Sequence, residues 1–216
     1  DVDHDYVDAV DGEFTPDALA DLDALILLVP RVGDASFHAD GRLALVARFG
    51  VGYDNVDTEA CAEAGVALTI TPDGVRRPVA AAIMTLMLAL TGKLLVKDRL
   101  TREGRWAEKT DHNGVGLVGK TLGSIGIGNI GAELFRLAKP WDMRFIAYDP
   151  YVDATAAGQL GVGLVDDLET LFREADILSV NCPLSDATHH LVNAKRLALM
   201  KPTAFLINTA RGPIVD

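Results

Sequence analysis

The chain of 216 residues is 49% hydrophobic and 24% charged, a balance typical of a globular protein with one large domain or two small ones. Its 20 basic and 31 acidic side chains give a formal net charge of −11, which disfavours nucleic acid and anionic membranes as partners. The two cysteines, Cys61 and Cys182, match no metal or redox spacing, and their small number favours a reducing compartment such as the cytoplasm.

The first 76 residues show alternating strand and helix patterns and are predicted to form a partial first domain. Three apolar strands are predicted, at residues 24–29, 43–47 and 66–70. A short helix is predicted at residues 58–64, because Asp57 is a suitable N-cap and Gly65 a suitable end.

A long helix is predicted from Pro78 to about Leu90, because proline is favoured at the first position of a helix. The apolar run is shorter than the ~20 residues that a membrane span needs, so a buried helix is expected. Helical character continues over residues 93–102 and is predicted to end at Gly104.

The second domain, predicted over residues 77–216, repeats the alternation. Its strands are predicted at residues 121–127, 143–148, 163–165, 177–181 and 204–208. Its helices are predicted at residues 130–139, 154–160, 168–174 and 193–200. Several strands are almost continuous apolar runs, as in a parallel sheet covered by helices on both faces. The predicted fold is therefore α/β, with two doubly wound parallel-sheet lobes.

The most informative motif is a G-x-G-x-x-G sequence formed by Gly126, Gly128 and Gly131. It follows an apolar strand and opens a helix, which is the context of a dinucleotide-binding turn. Gly126 would allow a tight turn, Gly128 a close approach of the backbone to a pyrophosphate, and Gly131 close packing of helix and strand. The first helical N–H groups, near Asn129 and Ile130, would then face the phosphates.

An acidic residue, Asp149, ends the next predicted strand, 21 residues after Gly128. A carboxylate at this distance typically meets the adenosine ribose. It would accept hydrogen bonds from the ribose hydroxyls and repel a 2′-phosphate, so NAD is expected as the cofactor in preference to NADP. The alternative is a structural glycine turn that binds no ligand.

With these motifs in place, the chain resembles the D-isomer-specific 2-hydroxyacid dehydrogenases, a family that includes phosphoglycerate dehydrogenases and glyoxylate-hydroxypyruvate reductases. The resemblance extends from about Asp21 to Asp216 and is carried by segments in the family's order: residues 48–57 (RFGVGYDNVD), Thr71-Pro72, Pro78-Val79-Ala80, the Gly-rich turn, Asp149-Pro150, Cys182-Pro183-Leu184 and residues 208–212 (NTARG). Ala81 and Ala82 depart from the family pattern, which usually has an acidic residue here, and this leaves the subfamily open.

The resemblance implies a flavodoxin-like substrate lobe followed by a Rossmann NAD-binding lobe. It also implies that the backbone N–H groups of Val51 and Gly52 bind the substrate carboxylate, and that Arg211 is a catalytic residue that clamps the carboxylate and the 2-keto oxygen. The cofactor-binding residues that it implies are Gly126, Gly128, Asn129, Ile130, Gly131, Asp149, Pro150, Cys182, Pro183, Thr188, Thr209 and Ala210.

The family's acid–base histidine and its glutamate partner lie downstream of the Ala-Arg-Gly segment, and no residue of this chain matches them. The chain is therefore expected to be truncated at both ends and to show negligible turnover by itself. Its own histidines are poor substitutes: His189 and His190 are expected at the surface, His4 and His38 in solvent, and His112 is the first to test if activity is found. No metal site is predicted.

The resemblance implies an NAD-dependent oxidoreductase that transfers a hydride between nicotinamide and C2 of a small D-2-hydroxy or 2-keto acid. An NAD(H)-sensing, corepressor-like module without turnover is the alternative. Arg76 and Arg77 are either solvated loop residues or attract an anionic substrate. A cytoplasmic homodimer is expected, built on the long apolar helix and the arm through Trp106, and a charge at Met87 is expected to split it.

Overall fold

A computed structural model describes residues 3–38 and 40–216 of the chain. Residues 1, 2 and 39, which belong to the predicted first domain, lie outside the described residues. The chain divides into two compact units, Asp1–Val75 and Arg76–Asp216. The division falls one residue before the domain boundary that we place from the sequence.

The first unit is built on a three-stranded parallel sheet with the order β1-β2-β3. The strands are β1 (Ala24–Leu27), β2 (Leu45–Arg48) and β3 (Ala67–Ile70), and the helices are α1 (Pro16–Leu19) and α2 (Thr58–Glu63). Side chains alternate along β1, with Leu25 and Leu27 buried in the core and Ile26 79% exposed. Asp57 caps α2 by accepting hydrogen bonds from the N–H groups of Glu59 and Ala60, as the sequence predicts.

The long helix α3 runs over Pro72–Thr91, so the prediction that Pro78 begins it was wrong. Pro72 takes the first position, where the missing N–H of a proline costs no hydrogen bond, and Asp73 lies in the first turn near the positive end of the helix dipole. Pro78 lies inside α3. The two arginines before it, Arg76 and Arg77, therefore lie on a helix rather than in a loop.

Only one side of α3 is buried, which corrects the expectation of a buried helix. Met84 and Met87 pack in the core of the second unit, whereas Leu86, Leu88 and Leu90 are between 37% and 44% exposed. Met87 is fully buried, so a charge there would disrupt the fold instead of a dimer. Within the described residues, α3 is the helix whose length and composition would suffice to cross a membrane, a property it shares with core helices.

A second helix, α4 (Leu94–Arg102), is separated from α3 by Lys93, which has a left-handed φ of 52°. Gly104, with a φ of +70°, follows the end of α4 as predicted. The next segment, Trp106–His112, is a 3₁₀-helix, although the sequence predicts a loop from Asp111.

The second unit contains a five-stranded parallel sheet with the order β6-β5-β4-β7-β8. Its strands are β4 (Thr121–Ile125), β5 (Arg144–Tyr148), β6 (Gly163–Leu164), β7 (Ile177–Val180) and β8 (Phe205–Asn208). Its later helices are α5 (Asn129–Ala138), α6 (Ala154–Gln159), α7 (Leu168–Glu174) and α8 (Ala194–Leu197). Each strand and helix overlaps its predicted range, and the ends differ by a few residues, so the α/β prediction is confirmed.

Two hydrophobic clusters cover the two faces of this sheet. One contains Met87 of α3 and Phe135 of α5, and the other contains Phe172 of α7. The chain leaves β4 towards β5 on one side and later returns to β7 on the other side. The gap beyond the carboxyl ends of β4 and β7 is therefore the topological switch point, where open α/β sheets bind their ligands.

Candidate functional site

The Gly-rich turn lies at this switch point, directly after β4. Gly126 has a φ of +90°, and a Cβ there would lie 3.2 Å from backbone atoms of Asn181 and Cys182 at the end of β7. A Cβ on Gly131 would lie 2.5 Å from the carbonyl oxygen of Gly126. Both positions therefore require glycine, one for the left-handed backbone and one for the close packing of α5 against the turn.

Gly128 differs from these two glycines because a Cβ there would meet no atom within 4 Å. The space in front of it is open, so the fold itself does not require a glycine at this position. A ligand that approaches the backbone closely would require one.

The first turn of α5 follows Gly128, which is its N-cap and has no side chain to accept a hydrogen bond. In contrast, α2, α6 and α7 are each capped by an aspartate, namely Asp57, Asp153 and Asp167. The N–H groups of Asn129 and Ile130 therefore begin a ten-residue helix whose positive end has no carboxylate cap. This arrangement fits a pyrophosphate, whose oxygens would accept these hydrogen bonds.

Asp149 lies at the carboxyl end of β5, and both of its carboxylate oxygens accept backbone hydrogen bonds. Oδ2 accepts from the N–H of Ile127 in the Gly-rich turn, and Oδ1 accepts from the N–H of Tyr151, each at 2.9 Å. A carboxylate has about four acceptor positions, so lone pairs remain for the hydroxyls of a ribose. The sequence places Asp149 correctly at the strand end but gives no sign of its bond to the turn.

A buried polar cluster lies beneath the turn, and sequence reasoning missed it. Ser124 donates a hydrogen bond to the carbonyl oxygen of Gly126 at 2.5 Å. Asn181 donates to Ser124 Oγ at 2.8 Å and to Ser179 Oγ at 3.1 Å. The sequence signal for this cluster is the presence of two serines, Ser124 and Ser179, in otherwise apolar central strands. Both serines are fully buried, and buried polar groups need hydrogen-bond partners.

The segment after β7 contributes Cys182, Pro183 and Thr188. Thr188 Oγ1 donates to the Pro183 carbonyl oxygen at 2.6 Å and accepts from the N–H of Ser185 at 2.8 Å, so its hydroxyl stabilises the turn. Burial, together with the nearby charge of Asp149, raises the pKa of the Cys182 thiol to about 11. A thiol with this pKa is protonated at neutral pH and is a poor nucleophile.

The segment after β8 is a tight turn closed by Asn208. Its Oδ1 accepts from the N–H of Ala210 at 3.0 Å, and its Nδ2 donates to the Arg211 carbonyl oxygen at 2.8 Å. Arg211 Nη1 donates to the Ala210 carbonyl oxygen at 2.9 Å. Thr209 Oγ1 is buried and has no hydrogen-bond partner among the described residues, so a bound group could supply one.

Most of the predicted cofactor residues therefore lie at one edge of the sheet. The turns that contain Gly126, Asp149, Cys182 and Thr209 follow the carboxyl ends of the adjacent strands β4, β5, β7 and β8. Pro150 follows Asp149 in the same turn. Their roles in binding stay predictions.

The two predicted substrate-binding amides, Val51 and Gly52, lie in the first unit after β2 and are half-buried. The loop that carries them is held at Gly50, whose N–H donates to Thr71 Oγ1 at 2.8 Å. Arg48, which is buried at the end of β2, donates to the Phe49 carbonyl oxygen.

Further candidates from the sequence are arginine and histidine side chains of the second unit. Arg77 pairs with Glu133 of α5 at 2.6 Å, and this hydrogen bond, together with a contact from Arg136, lowers the pKa of Glu133. His189 and His190 are exposed and stack on each other with ring centroids 3.8 Å apart. Over residues 3–38 and 40–216 there is no group of three His, Cys, Asp or Glu side chains placed to hold a metal ion.

Comparisons with known proteins match this geometry. A family model described as D-isomer specific 2-hydroxyacid dehydrogenase, NAD binding domain, matches residues 84–216, more than half of the chain. A glyoxylate reductase of Thermococcus litoralis is 37% identical over 203 residues, which cover 91% of this chain and 61% of that protein. A D-3-phosphoglycerate dehydrogenase of Methanocaldococcus jannaschii is 39% identical over 175 residues, covering 81% of this chain and 33% of that protein.

The fold of a solved relative agrees with both matches. The D-lactate dehydrogenase from Aquifex aeolicus, complexed with NAD and lactic acid, has a TM-score of 0.83 to this chain at 27% identity, covering 93% of this chain and 60% of that one. The chain thus spans between 33% and 61% of the length of these relatives. The chain belongs to the D-isomer-specific 2-hydroxyacid dehydrogenase family, and its second unit is an NAD-binding domain of the Rossmann type.

Proposed function

We propose that the protein is an NAD-dependent dehydrogenase that acts on small D-2-hydroxy acids and the matching 2-keto acids. The observation that carries the proposal is the uncapped first turn of α5 behind Gly128, at the switch point of the sheet and beside Asp149. When held at this site, NAD would supply the hydride chemistry of the reaction at C2 of the acid.

The second unit's own residues would bind and orient the cofactor. The N–H groups of Asn129 and Ile130 would donate to the pyrophosphate, and Asp149 would accept from the ribose hydroxyls. The Thr209 hydroxyl, which is buried without a partner among the described residues, would gain one on the nicotinamide side. Pro183 would line the same side and exclude water.

The substrate would be bound through its charge. The planar guanidinium of Arg211 would donate to the carboxylate and the 2-keto oxygen. Negative charge develops on that oxygen during hydride transfer, so a fixed cation beside it lowers the barrier. The proton is assigned to the histidine–glutamate pair of the family, which no residue of this chain matches.

A substrate panel with the full-length protein tests the proposal. Loss of NADH absorbance is followed with glyoxylate, hydroxypyruvate, its 3-phosphate and pyruvate, and we expect turnover of at least one. Tight binding of NADH without turnover of any 2-keto acid would contradict the proposed dehydrogenase activity and favour the NAD-sensing alternative.

We expect the protein to bind NADH more tightly than NADPH, because the Asp149 carboxylate would repel the 2′-phosphate. Substitution Asp149→Ala should narrow the gap between the two dissociation constants. Fluorescence titration with each cofactor measures both effects. Equal or tighter binding of NADPH to the unmodified protein would contradict the prediction.

The protein is proposed to be a homodimer that packs through α3 and the arm through Trp106. Leu86 and Leu90 are four residues apart on one face of α3 and are 44% and 39% exposed, and Trp106 is 60% exposed. Contiguous apolar patches of this kind are usually covered by a partner. The double substitution of Leu86 and Leu90 by glutamate should therefore give a monomer in sedimentation.

The control is Leu197→Glu on α8, which introduces one glutamate at another partly exposed leucine. It should leave the dimer intact. A monomeric unmodified protein would contradict the prediction.

The proposed location is the cytoplasm, and the proposed partner is a small acid rather than nucleic acid or a membrane. The net charge of −11 and two free cysteines support this proposal.

A further inference from the structure

Asp149 contacts the Gly-rich turn directly, although Asp149 follows β5 and the turn follows β4. We propose that Asp149 is a positioning residue for the pyrophosphate-binding turn, in addition to its expected role as a ribose acceptor. The proposal rests on the binding of NAD at this site. It concerns the hydrogen bond from the Ile127 N–H to Asp149 Oδ2, which exists in the protein without any cofactor.

The turn is held at three consecutive backbone groups. The N–H of Gly126 donates to the carbonyl oxygen of Tyr148 at 2.9 Å, and the carbonyl oxygen of Gly126 accepts from Ser124 Oγ at 2.5 Å. The next group along the chain is the N–H of Ile127, which donates to Asp149. Asp149 is therefore the side chain that fixes the peptide between Gly126 and Ile127 on its N–H side.

The position of Ile127 makes this bond difficult to replace. Ile127 is 5% exposed, and its side chain packs in the core of the second unit. A buried N–H that loses its acceptor cannot readily turn to water, so the backbone must shift to satisfy it. A shift at Ile127 would move Gly128 and the first turn of α5, which are the groups that would face the pyrophosphate.

An alanine at position 149 removes both hydrogen bonds of the carboxylate. The two carboxylate oxygens each accept one N–H, from Ile127 and from Tyr151. An asparagine would keep one of these bonds by turning its single oxygen to the Ile127 N–H, so it does not test the proposal. An alanine has no acceptor, so the Ile127 N–H loses its partner.

The charge of Asp149 gives the test an unambiguous sign. Removing a negative charge near an anionic pyrophosphate should strengthen binding of the pyrophosphate if charge alone matters. If the carboxylate holds the turn, the same substitution should weaken binding. A ligand that lacks the ribose hydroxyls separates this effect from the ribose contact.

The experiment compares the unmodified protein with Asp149→Ala, using 2′,3′-dideoxy-ADP as a competitor of NADH. This compound has the adenine and the pyrophosphate but neither ribose hydroxyl. We expect its dissociation constant to rise about tenfold in Asp149→Ala, the effect of the hydrogen bond lost at the buried Ile127, because the exposed Tyr151 N–H can bond to water instead. Amide hydrogen exchange at Ile127, measured without ligand, should become faster by about the same factor.

The matched control is Asp153→Asn, four residues further along the chain. It removes the same charge, but Asp153 uses Oδ1 alone to cap α6 by accepting from the N–H of Ala156 at 2.8 Å. An asparagine can make this bond. The dissociation constant of the dideoxy compound and the exchange rate at Ile127 should therefore stay close to those of the unmodified protein.

Unchanged exchange at Ile127 in Asp149→Ala would overturn the proposal. So would an unchanged or lower dissociation constant for the dideoxy compound, which would show that Asp149 acts on the ribose and through its charge only. Failure of the NAD site itself would be seen separately, as an unmodified protein that binds neither NADH nor the dideoxy compound.

Discussion

Substitution of Gly131 by alanine should lower the free energy of unfolding by about 1–3 kcal/mol and remove measurable NADH binding. The added Cβ would lie 2.5 Å from the carbonyl oxygen of Gly126 and 3.3 Å from Ser124 Oγ. The first contact is with backbone, so α5 must move away from the turn to accommodate it. The N–H groups that would bind the pyrophosphate move with the helix.

Gly128→Ala is the matched control, because the same methyl group there meets no protein atom within 4 Å. Its φ of −63° is allowed for alanine, and the unfolding free energy should change by less than about 1 kcal/mol. NADH binding should nevertheless weaken, because the methyl group would occupy the space of the pyrophosphate. Chemical denaturation and fluorescence titration of both variants provide the measurements, and equal stability of the two would contradict the account of Gly131.

Substitution of Arg211 by glutamine should lower kcat/KM of the full-length enzyme by about 10²–10³-fold. The guanidinium would be the cation beside the 2-keto oxygen, and glutamine has no charge. Arg211→Lys should recover only part of the loss, because an ammonium group cannot make the bidentate contact. Steady-state kinetics with the best keto acid of the panel measures the effect.

The affinity for NADH should be the same in the unmodified enzyme, Arg211→Gln and Arg211→Lys, because Arg211 is assigned to the substrate and not to the cofactor. Arg173→Gln, at an exposed arginine of α7, is the control for loss of a positive charge elsewhere in the second unit. A kcat/KM for Arg211→Gln equal to that of this control would remove Arg211 from the mechanism.

The topology of the second unit could be predicted from the sequence because its signals are local. Almost continuous apolar runs such as β7 indicate strands covered on both faces. The helices between the strands have their own start and end residues. The Gly-rich turn is also a local signal, because the positive φ at Gly126 and the close packing at Gly131 depend on neighbouring residues. The strand before the turn, the helix after it and Asp149 then define the site.

The features that the sequence could not predict depend on contacts between distant residues. Pro78 alone indicates a helix start, but Pro72 offers the same preference six residues earlier, and packing of the whole of α3 decides between them. The bond between Asn181 and Ser124 joins residues 57 positions apart, so no local pattern contains it. The exposed side of α3 is likewise set by which helices and strands cover it.

NAD is proposed to bind at the carboxyl edge of the second sheet, in front of the Gly-rich turn. Amide hydrogen exchange of the protein with and without NADH tests it most directly. We expect slower exchange at Asn129 and Ile130 in the first turn of α5, and no change at the opposite edge of the sheet, near Lys120 and Asp176. Slower exchange confined to other regions, or none with NADH bound, would contradict the account.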